Sequence, residues 1–298
     1  MPNHKLDIVV LLREVSDPRP PARIVPGGGR ILDRGLRRLP NPADLAALEA
    51  GLRLAEGNGG SVTALAVGPT RLDDLLRLAR AMGATRTIRV WDHALEDGDA
   101  GSDAVLYGRL QQILDPDLFF SGDRLLDRGD DPALRLAAAR AQRPCISAAL
   151  SATLEGGQAL IERKSDRGAR QRVATQLPAT VLLDATACEP RYPDHPSILA
   201  ALEAPIEVWG LADLGLPASR LGAAAAALPV SDFALPRQQP LRAVTPDANL
   251  PAFERILALL SGGIKPRAGK QRALAAAATA EELLQLFRAE GLLPEHSP

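Results

Sequence analysis

The chain has 298 residues, of which 46% are hydrophobic and 24% charged, and a formal net charge of −1. That length and apolar content suit one large domain, or one domain plus an appendage, and exclude disorder as the main state. The near-zero charge, with no run of five like charges, argues against a nucleic-acid or membrane-surface protein. Cys145 and Cys188 are the only cysteines and stand in no CxxC arrangement, so neither a disulfide framework nor a zinc site is indicated and a reducing cytoplasm is the simplest setting. The apolar run 8–12 is too short for a signal segment or a membrane span, so the expectation is a cytoplasmic protein with no membrane insertion. Arginine and alanine far outnumber lysine and isoleucine, a bias that points to a GC-rich bacterial source.

Strand-like and amphipathic helical runs alternate through the first half, which predicts βαβ units and a parallel sheet. Residues 7–12 read as a strand covered on both faces. After a Pro/Gly-rich excursion over 18–29, Asn41 can cap a helix whose first position is Pro42, with Leu45, Leu48, Leu52 and Ala55 on one face. Residues 61–67 form the next strand. Gly68-Pro69-Thr70 then opens a helix with Leu72, Leu75, Leu76, Ala79 and Met82 at helical spacing, closed by Gly83. A third strand is expected over 87–91, a helix capped by Ser102, and a fourth strand over 117–121 ending at Gly122. An alanine-rich helix runs to Ala141. The strands 146–154 and 159–164 flank Gly156-Gly157 as a hairpin, and 172–176 and 179–183 add further strand.

From Leu214 onward the character changes. Residues 223–227 are low in complexity, and prolines recur at 229, 236, 240, 246 and 251, which reads as an extended linker. Two short helices follow, 251–260 and 280–290, the second with a capping box of Thr279 and Glu282 and a stop at Gly291. The fold class is therefore α/β, a doubly wound and mostly parallel sheet. The domains expected are a nucleotide-binding domain over 1–235 and an arm over 236–298 that packs on another chain.

One loop cannot be helical. In Glu189-Pro190-Arg191-Tyr192-Pro193 the two prolines fix φ near −65° and extend the preceding residues, so the segment is a rigid presented loop. With Ile8-Val9-Val10-Leu11-Leu12-Arg13-Glu14-Val15, Asn41-Pro42-Ala43-Asp44, Ala66-Val67-Gly68-Pro69, Arg80-Ala81-Met82-Gly83-Ala84 and Leu177-Pro178-Ala179-Thr180-Val181 in this order, the chain resembles the β subunit of electron transfer flavoproteins, as a divergent bacterial member. The resemblance implies an adenine nucleotide α-hydrolase-like fold and a heterodimer with an α subunit that holds most of an FAD. It also implies a dehydrogenase as electron donor, a membrane quinone oxidoreductase as acceptor, an AMP in the β subunit's own pocket, and no catalytic residue.

By the same resemblance the nucleotide-contacting positions are Leu11, Asn41, Pro42, Ala43, Asp44, Val67, Gly68 and the stretch that carries Gly122, Arg124, Asp127, Arg128, Asp130, Asp131 and Ala133. Asn41 and Asp44 have the polar chemistry to hold ribose or base, and Gly68 allows close backbone approach. The last stretch departs from the family, whose loop receives a phosphate through hydroxyls and free amides. Here Pro132 has no amide hydrogen, Ala133 has no hydroxyl, and four aspartates outnumber two arginines, so AMP is disfavoured unless Arg124 and Arg128 turn inward. Ser16-Asp17-Pro18 replaces a flavin-proximal aromatic of some relatives. The implied partner-docking residues are Glu189, Pro190, Arg191, Tyr192, His195 and Ile198. His195 stands where relatives carry a leucine anchor, and lysines near Ala200 and Glu203 are missing. These changes predict a donor other than the common acyl-CoA dehydrogenase.

Blander readings stand beside these. Gly27-Gly28-Gly29 is a turn, because no GxGxxG follows a strand. Gly263 to Lys270 mimics a P-loop without the Ser or Thr after the lysine, and Ser121-Gly122-Asp123 lacks the second glycine or serine of a pyrophosphatase loop. His4, His93 and His296 read as surface residues, and the two cysteines as small hydrophobes. The Glu189 to Tyr192 stretch could be a structural corner with Arg191 salt-bridged underneath. A stand-alone adenine-nucleotide-binding module and an ATP-pyrophosphatase remain the competing functions.

Overall fold

The structure of the protein, a computed structural model, describes residues 5–19, 37–228, 246–260 and 275–290. The chain divides into two units, Met1–Leu235 and Pro236–Pro298. Among the described residues of the first, nine strands make one sheet: β1 (Asp7–Leu12), β4 (Ser61–Val67), β5 (Arg86–Val90), β6 (Leu118–Gly122), β9 (Cys145–Glu155), β10 (Gln158–Lys164), β11 (Arg170–Gln176), β12 (Ala179–Leu183) and β13 (Glu207–Trp209). Their order is β11-β10-β9-β12-β6-β1-β4-β5-β13. From β9 through β12, β6, β1, β4 and β5 to β13 every pair is parallel, whereas β10 and β11 continue the sheet as an antiparallel meander. Two small ladders stand apart from it: β2 (Glu14–Ser16) with β3 (Arg38–Pro40), and β7 (Arg124–Leu125) with β8 (Gly129–Asp130).

Helices cover both faces, and β1 shows why its continuous aliphatic run was needed. Ile8, Val10 and Leu12 pack with Leu48 and Leu52 of α1 (Pro42–Asn58) and Leu76 of α2 (Asp73–Met82). Val9 and Leu11 turn to the other face, against Leu106 and Leu110 of α3 (Ala100–Leu114) and Leu134 of α4 (Ala133–Arg140). Each such side chain contributes about 1.5–3 kcal/mol on burial, so a polar residue at any β1 position would be costly on either side. After α5 (His195–Glu203), the segment α6 (Leu211–Leu214) to α7 (Gly222–Ala225) returns to the second face.

Helix ends differ in detail from the expectation. Asn41 occupies the N-cap of α1 with Pro42 in its first turn, but its side chain makes no cap bond. Asp99, not Ser102, is the N-cap of α3; Ser102 is the reciprocal partner in a capping box. The linker assigned from Leu214 onward begins too early, because Leu214 and Leu221 are buried in the second core cluster and Asp99 accepts from the amides of Ala227 and Leu228. A low-complexity alanine run carries no periodicity that reveals such docking. The cysteines are not core residues, since Cys145 is exposed and Cys188 partly so. Residues 20–29, Pro229, Pro236, Pro240, the P-loop mimic at 263–270, Gly291, His4 and His296 lie outside the described residues.

The second unit contains α8 (Ala252–Leu260) and α9 (Ala276–Ala289). The proposed capping box of Thr279 and Glu282 does not open α9, because the helix starts a turn earlier and the Thr279 hydroxyl donates to the Ala275 carbonyl. Both helices are amphipathic with their apolar sides in solvent, including Phe253, Ile256 and Leu260 on α8 and Leu283 and Phe287 on α9.

Candidate functional site

At the carboxyl ends of β1 and β6 an internal ion pair ties the edge of the sheet to α1. Asp44, in the first turn of α1, is 1% exposed, and both its oxygens are committed. Oδ2 accepts from the Arg13 amide at 2.8 Å and from Arg13 Nε at 3.1 Å. Oδ1 accepts from an Arg13 terminal nitrogen at 2.7 Å, from the Gly122 amide at 2.6 Å and from Ser121 Oγ at 3.2 Å. Arg13 also donates to the Gly122 carbonyl at 2.8 Å and to Asp131 at 3.0 Å. Burial alone would weaken the Arg13 charge, but the Asp44 carboxylate beside it outweighs that and the guanidinium is held above its ordinary pKa. Gly122 is required here, since a Cβ would stand 2.5 Å from that of Ala43 and 2.6 Å from Asp44 Oδ1.

Asn41, Leu11, Gly68 and Ala133 are likewise engaged within the fold. Asn41 Nδ2 donates to the Arg124 carbonyl at 3.0 Å and its Oδ1 accepts from the Leu126 amide at 3.2 Å, so it clamps the β7–β8 hairpin. Leu11 is fully buried and its carbonyl accepts from Ser121 Oγ. The close approach that Gly68 allows is to Leu72 of its own turn, where a Cβ would lie 2.5 Å from the leucine Cδ1. The Ala133 amide, at the start of α4, donates to Asp131. Pro42 is exposed, Ala43 is buried, and Val67 is half-buried at the end of β4.

The hairpin is walled by carboxylates, and both of its arginines are exposed. Arg128, 73% exposed, lies 3.6 Å from Asp127. Asp127 takes the Ser16 amide on one oxygen, while the other is buried without a hydrogen-bond donor. Asp123 and Asp130 both pair with Arg135 of α4. Close by, burial and then repulsion from Asp131 push the Asp103 carboxyl up to about 6, with Arg128 opposing. Burial, followed by the Asp103 charge, also raises the Tyr107 phenol. A phosphate placed here would meet the carboxylates of Asp123, Asp127, Asp130 and Asp131, so the donor set does not fit an AMP phosphate. The sequence reading missed Arg13 as the hub, because a lone arginine after a strand gives no sign of which carboxylate it will meet.

The proline-framed loop is a corner held from beneath. Arg191 donates through its amide and its guanidinium to Glu49, and through the guanidinium to Glu56. The two glutamates are two turns apart on α1, so one guanidinium bridges them. Glu49 is 2% exposed and also accepts from Arg53 at 2.6 Å. Burial alone would raise its pKa, but the bonds from Arg191 and Arg53 hold it below the usual carboxylate range. Above this anchor Tyr192 is 99% exposed. Asp194 caps α5 by accepting from the Ser197 amide at 2.8 Å, which places His195 in its first turn. Ile198, Leu199 and Leu202 are exposed on α5, with Val208 exposed on β13. The corner is thus both structural and presented: Glu189, Pro190 and Arg191 fix it, and Tyr192, His195 and Ile198 are offered to solvent.

Comparison with known proteins identifies the family. The electron transfer flavoprotein domain family matches residues 29–214. The chain is 31% identical over 213 residues to the electron transfer flavoprotein subunit beta of Bacillus subtilis, covering 71% of this chain and 81% of that protein. It is 33% identical over 192 residues to the subunit of the same name from Methylophilus methylotrophus, covering 62% and 71% respectively. The caffeyl-CoA reductase-Etf complex subunit CarD of Acetobacterium woodii is 27% identical over 217 residues, covering 72% and 82%. With the strand order, the anchored corner and these matches taken together, the chain belongs to the electron transfer flavoprotein β-subunit family.

Proposed function

We propose that the chain is the β subunit of a heterodimeric electron transfer flavoprotein, which accepts electrons from a dehydrogenase and passes them by way of FAD toward a membrane quinone oxidoreductase. The observation that carries this reading is the proline-framed corner. A tyrosine almost wholly in solvent, on a loop locked to α1 through Arg191 and followed on α5 by exposed Ile198, Leu199 and Leu202, is well suited to a partner surface. The exposed apolar sides of α8 and α9 favour an arm over 236–298 that packs on the α subunit, leaving 1–235 as the α/β domain.

FAD would supply the one-electron chemistry, held mostly by the α subunit, because the carboxylate-lined strand ends of this chain offer its diphosphate no cradle. The roles left to the chain's own residues are docking, through Tyr192, His195 and Ile198, and shaping the flavin-side loop. There Asp17 is fixed by Arg19 at 2.7 Å and by the Arg37 carbonyl at 2.8 Å. In place of AMP, Arg13 joins β1, α1, β6 and the approach to α4.

Co-expression with a candidate α subunit, followed by acid extraction and mass spectrometry, tests the proposal. A yellow one-to-one complex that releases FAD and no AMP is expected. A colourless monomer that binds ATP would instead favour a stand-alone adenine-nucleotide module.

A further inference from the structure

Arg109, Arg140 and Arg220 line a single groove of about 410 Å³ beside α3 and α4, together with Gln112 and an apolar wall of Val105 and Leu216. Elsewhere in the described residues Arg13, Arg86, Arg89, Arg135, Arg143 and Arg191 each meet a carboxylate. Among the described residues these three make no ion pair within 4 Å, and no carboxylate lines the groove. Guanidinium stays charged at any physiological pH, so the groove holds three like charges that nothing in this part of the chain neutralises.

The arrangement is also built rather than accidental in its closeness. Arg109 is pinned by donating from Nε to the Leu214 carbonyl at 2.9 Å, and its guanidinium lies along the groove wall at Gly215. Gly108 lets α4 close on α3, because a Cβ there would stand 3.2 Å from the Ala137 carbonyl and 3.3 Å from the Arg140 Cβ. The stem of Arg140 is thereby brought against α3 next to Arg109. The loop at Gly215, with φ of 61°, completes the wall.

We propose that this groove binds a small phosphate-bearing anion, of the size of a phosphate monoester or diphosphate. The volume lies within the roughly 300–1,000 Å³ typical of small-ligand sites, and the planar guanidinium fork matches phosphate oxygens in pairs. The site is separate from the carboxylate-walled strand ends and does not depend on the redox reading. Phosphate recognition in this chain has its favourable field on the outer helical layer.

The test is calorimetric titration of the full chain, in complex with its α subunit if they purify together, using sodium pyrophosphate as the probe. One saturable site per chain is expected, weakened about tenfold by Arg140→Gln and again by Arg220→Gln, and weakened by raising salt from 0.05 to about 0.5 M. Both arginines are exposed, so the variants should keep the wild-type circular dichroism spectrum. Arg128→Gln, at the strand ends, should leave binding unchanged. Absence of saturable binding, binding indifferent to Arg140 and Arg220, or binding lost in Arg128→Gln would each overturn the proposal. So would binding of polyglutamate in preference to pyrophosphate, which would make the groove a protein-docking surface.

Discussion

Replacing Arg13 with methionine tests whether an internal ion pair holds together the sheet edge at the carboxyl ends of β1 and β6. The substitution keeps most of the side-chain volume but removes the guanidinium donors to Asp44, the Gly122 carbonyl and Asp131. Asp44 remains 1% exposed and keeps only the Arg13 and Gly122 amides and Ser121 Oγ. Breaking one side of a buried pair typically costs about 3–5 kcal/mol, and the three surviving bonds put this case near 3 kcal/mol. For a domain of this size that corresponds to a fall in melting temperature of roughly 6–12 °C. Urea and thermal unfolding of wild type and variant, followed by circular dichroism, measure it. Adding Asp44→Asn to the variant should recover part of the loss, because the uncompensated charge is then gone. A loss under about 1 kcal/mol, or no recovery in the double variant, would refute the view that Arg13 and Asp44 form the structural centre of this edge.

The remaining predictions follow from the same contacts. Asp103→Asn should stabilise the protein above pH 6 by about 2 kcal/mol. The folded pKa of about 6 lies above the ordinary value near 4, so wild-type stability falls as pH rises through that window and the amide has no such slope; unfolding curves at pH 4.5 and 8 decide it. Arg191→Ala leaves Glu49 buried with Arg53 alone. It should cost about 1–3 kcal/mol and slow electron delivery from the donor, read by stability and stopped-flow reduction of the flavin. His195→Ala and Tyr192→Ala lie in solvent and should leave stability and the flavin spectrum unchanged while weakening transfer from the true dehydrogenase; unaltered kinetics with that donor would count against the docking role.

Much of the fold was legible because its signals are local. The strands 7–12, 61–67 and 179–183 stand where the apolar runs put them, since a strand buried on both faces needs an unbroken aliphatic stretch. The Gly156-Gly157 turn likewise announced the β9–β10 hairpin, with both glycines at positive φ. The small β2–β3 and β7–β8 ladders and the docking of Leu214 and Leu221 escaped notice, because two- and three-residue strands and an alanine-rich return carry too few residues for a period to show.

At the site the division is sharper. Residue types alone showed that the 122–134 stretch is acidic and poor in phosphate donors, and that two prolines frame a presented corner at Glu189 to Pro193. They could not show that Asn41 and Asp44, chemically fit for a ribose, are already committed to Arg124, Leu126, Arg13 and Gly122. Nor could they show that Arg191 lies on Glu49 and Glu56 of a helix some 140 positions earlier, as their sequence separations of 142 and 135 record. Period, turn chemistry and charge are properties of neighbouring residues and survive in a linear string. The partner of a charged side chain is set by which elements the sheet order brings together, and only the folded chain decides that.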